Sequence, residues 1–390
     1  MKLGVLLSRF PYPLEKGDKL RAYHQIRELS KRNEIYLCAL STSRVDEKAI
    51  KKLEPFCKEI KVIYLSKIET LINLAYSLLF SNLPLQVSFF YNRRKKPIIQ
   101  SFFTGHKVDH LFCQLIRVTE YVKDSEVSKT LDYMDALSQG MERRINKAPF
   151  YLKPFVKIES TRLKRYEHLI FKSFENKVII SEQDRELIIH AQNDKIEIIR
   201  NGVDRDFFKA KETKKEFELL FTGNMSYPPN VDGVHYLVDQ VLPLVWQEKP
   251  EVKFVIAGVN PSSSVLKLKS ERVIVTGWVD DIRAYYAKAK VFIAPMQIGT
   301  GLQNKLLEAM SMNVACITSP LANNALKATH LDNILIGQEP EDFKRLILNL
   351  LNDPTLNKMI ADNGNQYVSE NYTWEQSTLN LERLFLQSKK

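Results

Sequence analysis

The chain has 390 residues, with 57 Lys and Arg against 46 Asp and Glu and a formal net charge of +11. This length holds two domains at roughly 100–200 residues each, and 44% hydrophobic with 26% charged residues excludes global disorder. Residues 1–200 hold 36 Lys and Arg against 24 Asp and Glu, while residues 201–390 hold 21 against 22. The basic excess therefore sits in the first half. It points either to an anionic contact (a membrane surface, an anionic lipid-linked molecule or nucleic acid) or to a solvated basic surface. Cys38, Cys57, Cys113 and Cys316 are scattered and form no CxxC pair. A disulfide framework or zinc site is not expected, and a cytoplasmic location fits.

In chain order, β-branched and apolar runs predict strands at 2–8, 34–40, 61–65, 110–113 and 177–180, with a helix at 20–31 after the first. Residues 71–90 form an apolar stretch broken by Asn73, Ser77, Ser81, Asn82 and Pro84, then followed by Arg93, Arg94, Lys95 and Lys96. It is too interrupted to span a bilayer. It reads either as an amphipathic segment lying on one or as a core helix with a solvated charge run. Past a turn-prone Asn201-Gly202, strands are predicted at 217–222, 252–257, 273–276, 291–295 and 314–318, with helices at 231–247, 281–288 and 304–311. Alternation of this kind predicts two α/β domains, each a doubly wound parallel sheet, facing an interdomain cleft. The expected division is 1–200, 201–370 and a terminal helix at 371–390 crossing back to the first domain.

The most informative segment runs from Pro295 through Gly299-Thr300-Gly301-Leu302 into a helix carrying Lys305 and Glu308. Glycines let backbone approach a ligand, and the first helical N–H groups lack internal partners and attract anions. A phosphate fits there, with Lys305 adding full charge. A carboxylate one turn on, at Glu308, can accept two sugar hydroxyls. Taken alone, the segment is equally a tight strand–helix turn.

Other landmarks give it context. Arg9, then Gly17-Asp18 and Arg21, form a glycine-bearing first loop. Ser181-Glu182-Gln183-Asp184, Asn201-Gly202-Val203-Asp204, Gly223-Asn224-Met225 with Asn230, and Thr276-Gly277-Trp278-Val279-Asp280-Asp281 follow in order. Together they resemble the retaining glycosyltransferases of family 4, which have the GT-B fold. The closest subgroup is the sugar transferases of bacterial exopolysaccharide and surface-glycan clusters. The resemblance implies an N-terminal acceptor domain and a C-terminal nucleotide-sugar domain. It implies donor contacts at Gly17, Gly223, Asn224, Gly299, Thr300, Gly301, Leu302, Lys305 and Glu308. The donor would be of the UDP or GDP type, and no cofactor or metal is expected.

Three departures matter. The family commonly has two glutamates eight residues apart; Glu308 matches the second, and Thr300 stands at the first. Gly223-Asn224-Met225 lacks the usual arginine, leaving Lys305, the turn backbone, Arg9 or Arg21 to meet the diphosphate. Gln114 stands where many members have a histidine.

Asp132 and Asp135 follow a first-domain strand and read as groups orienting hydroxyls or as a turn. Arg117 and Glu120 are similar. Asp280-Asp281 is no DxD triplet and reads as a helix cap. Trp278 can stack on a base or fill a core. The implied reaction is metal-independent hexosyl transfer with retention to a glycan or lipid-linked hydroxyl. A catalytically impaired nucleotide-sugar-binding subunit is the alternative. No nucleic-acid module is present, and peripheral membrane contact through the basic half is the remaining partner expectation.

Overall fold

The computed structural model describes residues 1–147, 149–209, 213–298 and 301–388. The chain folds as two compact units, Met1–Arg200 with Trp374–Lys390, and Asn201–Thr373.

The first unit is built on seven parallel strands: β1 (Lys2–Leu7), β2 (Glu34–Ser41), β3 (Glu59–Tyr64), β4 (His110–Gln114), β5 (Lys129–Asp132), β6 (Asn176–Ile179) and β7 (Glu197–Ile198). Their order is β3-β2-β1-β4-β5-β6-β7. The central strands β1 and β4 are buried on both faces and carry apolar cores at 3–7 and 111–113, while edge strand β3 alternates exposed and covered positions. Gly4 lets β1 lie close to its neighbours: a Cβ there would meet Leu111 and Phe103 carbons at 2.8 Å. Three helices of this unit matter below: α1 (Gly17–Leu29), α2 (Lys67–Phe80) and α3 (Lys153–Ile170).

The second unit has six parallel strands: β8 (Phe217–Thr222), β9 (Phe254–Ala257), β10 (Val273–Gly277), β11 (Ala289–Ala294), β12 (Ala315–Thr318) and β13 (Leu335–Ile336). They lie in the order β10-β9-β8-β11-β12-β13. Its helices include α4 (Pro228–Tyr236), α5 (Leu242–Glu248), α6 (Ile282–Lys288) and α7 (Asn304–Ser311). The terminal helix α8 (Trp374–Gln387) packs on α1 in the first unit. There Leu381 and Phe385 are fully buried, and Trp374 stacks on His24 at 5.0 Å.

In both sheets the strand order reverses beside the first strand, between β1 and β4 and between β8 and β11. Ligands of such sheets bind outside the carboxyl ends at this reversal. Each unit is a Rossmann-like doubly wound domain.

The helix predicted at 231–247 is broken. A π-helical turn, Leu237–Val241, separates α4 from α5. Pro243 lacks an N–H and crowds the preceding turn, and widening the ladder accommodates it. Strands β7 and β13 were not predicted, and β5 was implied before Asp132 without bounds. Strands β7 and β13 are two residues long, and three of the four residues of β5 are polar.

The loops after β8 and β9 touch through glycines. Gly258 has φ +150°, and a Cβ there would lie 1.8 Å from the Gly223 carbonyl oxygen. Gly258→Ala is expected to lose at least about 3 kcal/mol of stability in urea unfolding, because backbone must move to admit the methyl group.

Candidate functional site

In the second unit the site is assembled at the carboxyl ends of β8 and β11. Gly223 follows β8 with φ +150°, and a Cβ there would meet Asn230 Nδ2 at 2.6 Å and Lys305 Nζ at 3.5 Å. The loop after β8 and the start of α7 therefore converge. Asn224 folds onto its own loop: its Oδ1 accepts from Ser226 N at 3.0 Å, and its carbonyl accepts from Asn230 Nδ2 at 3.0 Å.

Lys305 is held in an unusual setting. Its Nζ donates to Asn230 Oδ1, lies 4.2 Å from the centroid of the Phe221 ring and 4.0 Å from Met296 Sδ. Among the described residues, no carboxylate lies within ion-pair distance of it. Burial lowers its pKa to about 7, with Glu308 opposing the shift. One turn along α7, Glu308 Oε2 accepts a hydrogen bond from the Tyr286 hydroxyl at 2.9 Å. Burial raises the Glu308 pKa, against the pull of Tyr286 and Lys305. The Tyr286 hydroxyl also lies 2.7 Å from Thr222 Oγ1. With its proton directed to Glu308, it accepts from Thr222, which ties α6, α7 and β8 together.

The remaining turn residues are placed as follows. Gly301 is left-handed at φ +86°, which suits glycine. Leu302 is half-buried against the core. Helix α7 has no side-chain cap at Gln303, so its first N–H groups are left for another acceptor. Gly299 and Thr300 lie outside the described residues. Asp281 is a helix cap, accepting from Arg283 N at 3.0 Å. Trp278 does not fill a core: it is exposed.

In the first unit the strand ends carry strain and charge. Leu115 after β4 and Met134 after β5 have φ +68° and +64°. Positive φ at such residues is unfavourable, and backbone of this kind collects at functional sites. Asp132 is closed off. Its Oδ2 accepts from Arg21 Nε at 2.6 Å, its Oδ1 accepts from Met134 N at 2.9 Å, and both side chains of the ion pair are fully buried. The expectation that Asp132 orients a substrate hydroxyl gives way to a structural role, and Arg21 is likewise not free to meet a diphosphate. Asp135 is exposed, unlike Asp132. The protein crowded around it pushes its pKa up to about 6, with Asp184 adding and Arg117 opposing.

Arg9 and Arg117 stand over the same ring, Phe90, at 5.6 and 5.7 Å. Arg9 pairs with Asp18, and Arg117 donates to Gln86 Oε1 at 2.8 Å. Glu120 accepts from Tyr166 and Lys123 and is structural. Gly17 begins α1 with open space around it. The sequence singled out Arg9 and Arg117 separately but neither their meeting at Phe90 nor Tyr286. Neither has a local signal, since each depends on elements distant in the chain.

Residues 216–353 match the family described as "Glycosyl transferases group 1". The chain is 25% identical over 393 residues to an uncharacterized 44.6 kDa protein in the cps region of Klebsiella pneumoniae, covering 95% of this chain and 96% of that protein. It is 26% identical over 258 residues to an uncharacterized glycosyltransferase of Methanocaldococcus jannaschii, covering 59% of this chain and 65% of that protein. Among solved structures, sucrose-phosphate synthase from Thermosynechococcus elongatus has TM-score 0.70 at 13% identity, with 99% of each chain covered. Anabaena HepE, solved in complex with UDP-glucose, has TM-score 0.68 at 14% identity, covering 99% of this chain and all of that one. WaaG, a glycosyltransferase involved in lipopolysaccharide biosynthesis, has TM-score 0.67 at 13%, covering 98% and 99%. The fold is that of the GT-B glycosyltransferases, and the second unit carries the group 1 match.

Arg21→Met is expected to lose about 3–5 kcal/mol in urea unfolding by stranding the Asp132 carboxylate. Arg21→Met combined with Asp132→Leu should recover most of that loss. A double variant as unstable as the single would overturn the structural reading of the pair.

Proposed function

We propose that the protein is a retaining glycosyltransferase of family 4. It moves a hexosyl group from a UDP- or GDP-type sugar to a hydroxyl of a glycan or lipid-linked acceptor in bacterial surface polysaccharide biosynthesis. The observation carrying this reading is Lys305: a half-buried cation without a carboxylate partner among the described residues, beside Gly223 and at an uncapped helix start. Such a site attracts an anion, and a diphosphate matches both the charge and the exposed N–H groups. Glu308, on the same face one turn deeper, supplies the acceptor for ribose hydroxyls. The cps-region relative and the neighbour involved in lipopolysaccharide biosynthesis support the surface-glycan setting.

In the proposed reaction, negative charge grows on the leaving diphosphate as the anomeric carbon gains oxocarbenium character. Lys305 and the first N–H groups of α7 meet that charge without a metal ion. The leaving phosphate oxygen takes the acceptor proton on the face it departs from, which retains configuration. Asp135, exposed just past the end of β5, would hold an acceptor hydroxyl. Thr300 in place of the first family glutamate favours a second reading, a nucleotide-sugar-binding subunit without turnover. Incubation with UDP-, GDP- and dTDP-sugars separates the two: binding without transfer or hydrolysis selects the second. Binding of no nucleotide at all overturns both.

Glu308→Ala is expected to weaken nucleoside diphosphate binding about tenfold to a hundredfold by calorimetry, through loss of two charge-assisted hydrogen bonds.

A pH dependence follows from Lys305. Its free-state pKa lies below its ordinary value, and a bound diphosphate favours its protonated form. Binding at pH 8 should therefore take up close to one proton, and affinity should fall as pH rises above 7. Calorimetry in buffers of different ionisation enthalpy reads the uptake, and Lys305→Met should abolish it.

A further inference from the structure

We infer that the first unit docks on an anionic lipid bilayer through α2 and the segment 150–158. This surface belongs to the first unit, whereas Lys305 belongs to the second.

Helix α2 is inside out. Its buried positions are Thr70 and Ser77, and half-buried Asn73 lies on the same side. These polar groups are satisfied inward: Asn73 Nδ2 donates to Tyr91 O at 2.9 Å, Ser77 Oγ to Leu83 O at 3.1 Å, and Ser88 Oγ to Ser77 Oγ at 2.7 Å. The outward positions are Ile68, Leu71, Ile72, Tyr76, Leu79 and Phe80, each between 62 and 73% exposed. A helix packed on a soluble core buries its apolar face, and a contiguous exposed apolar patch marks an interaction surface.

The patch continues onto the next element. Glu159 on α3 accepts from Leu85 N and Gln86 N at 2.8 and 3.0 Å, and Arg162 donates to the carbonyls of Ser77 and Leu78 at 3.1 and 3.3 Å. These bonds set the end of α2 against α3. One turn back along α3, Phe155 and Ile158 are exposed, as are Phe150 and Tyr151 before it.

The surrounding charge is predominantly basic. Helix α3 has five basic residues, Lys153, Lys157, Arg162, Lys164 and Arg165, and two acidic ones, Glu159 and Glu167. Both acids are buried, and of the cations Lys164 pairs with Glu142 at 2.7 Å, so the rest of the α3 surface is basic. Arg93 and Arg94 are exposed next to Asn92, whose Nδ2 donates to Glu69 in the first turn of α2 at 3.2 Å. A cavity of about 310 Å³ at the foot of α2 is lined in part by Arg162 and Arg165, and by Lys123 paired with Glu120. Apolar side chains ringed by Lys and Arg suit the boundary between anionic headgroups and acyl chains. A second copy of the chain, docked face to face, would set the same cations against each other. No helix among the described residues is long and apolar enough to cross a membrane, so the surface lies on the bilayer.

The test is flotation of the full chain with vesicles of phosphatidylcholine alone and with vesicles containing one third phosphatidylglycerol. The wild type should float with the anionic vesicles and remain free with the neutral ones. Ile72→Ser with Leu79→Ser, both at exposed positions, should cut the partition coefficient at least about tenfold. Lys153→Glu with Lys157→Glu should cut it by about tenfold or more, and high salt should act in the same direction.

Failure of the wild type to float, or wild-type partition by the apolar variant, overturns the inference. So does self-association in light scattering that the apolar variant disperses while vesicles remain unbound. UDP titration of the same preparations reads the donor site independently, so failure of docking and failure of the transferase reading are distinguishable.

Discussion

The functional reading depends on a cation held without its counter-ion. Lys305 is fixed by a neutral amide, an aromatic face and a thioether, none of which cancels its charge. The nearest relevant carboxylate, Glu308, is turned to the Tyr286 hydroxyl instead. Burial makes this arrangement unfavourable for the charged form, and that penalty is the origin of the depressed pKa. A protein retains an unpaired, half-buried ammonium at a strand–helix junction when something anionic completes it. Phe221, Met296 and Tyr286 belong to the core, so the cation rests on a rigid support.

The first unit offers the opposite case. Arg21 and Asp132 carry full charges, and each meets the other in a dry, fully buried contact. Their charges are cancelled locally, and the pair joins α1 to the end of β5. A motif reading treats both kinds of charge alike, since Asp132 and Lys305 each follow a strand end. Geometry separates them: one is satisfied by the protein, the other is not. The same criterion distinguishes Glu120, held by Tyr166 and Lys123, from Asp135, whose surroundings raise its pKa.

The sequence carried the α/β alternation because parallel strands such as β1 and β11, covered on both faces, must be almost wholly apolar. It carried the turn into α7 because glycine, lysine and glutamate fall within ten residues. It did not carry β7, β13 or the bounds of β5, short strands whose stability comes from neighbouring strands rather than from their own composition. The break before α5 follows from Pro243 in principle, yet the apolar period runs through it and hides it. Tyr286 was illegible because its partners, Thr222 and Glu308, lie 64 and 22 residues away. The strained turns at Leu115 and Met134 were hidden for a related reason. Neither is glycine, so the conformation is imposed by the sheet edge.

Net charge alone says little about partners, because surface ions are usually solvated and mixed in sign. What gives the basic half of this chain meaning is where its acids went. Glu159 and Glu167 are withdrawn into the first unit, the one accepting from the N–H groups of Leu85 and Gln86 and the other from Ser138 N at 3.0 Å. The lysines and arginines of the same helix are left outside. Beside them α2 turns its hydroxyls and amide inward and its isoleucines, leucines and aromatics outward. Each choice is locally unfavourable in water: buried carboxylates need compensation, and exposed apolar side chains lose their burial energy. Two unfavourable choices on adjoining helices, pointing the same way, are reconciled by a surrounding that is apolar within and anionic at its boundary.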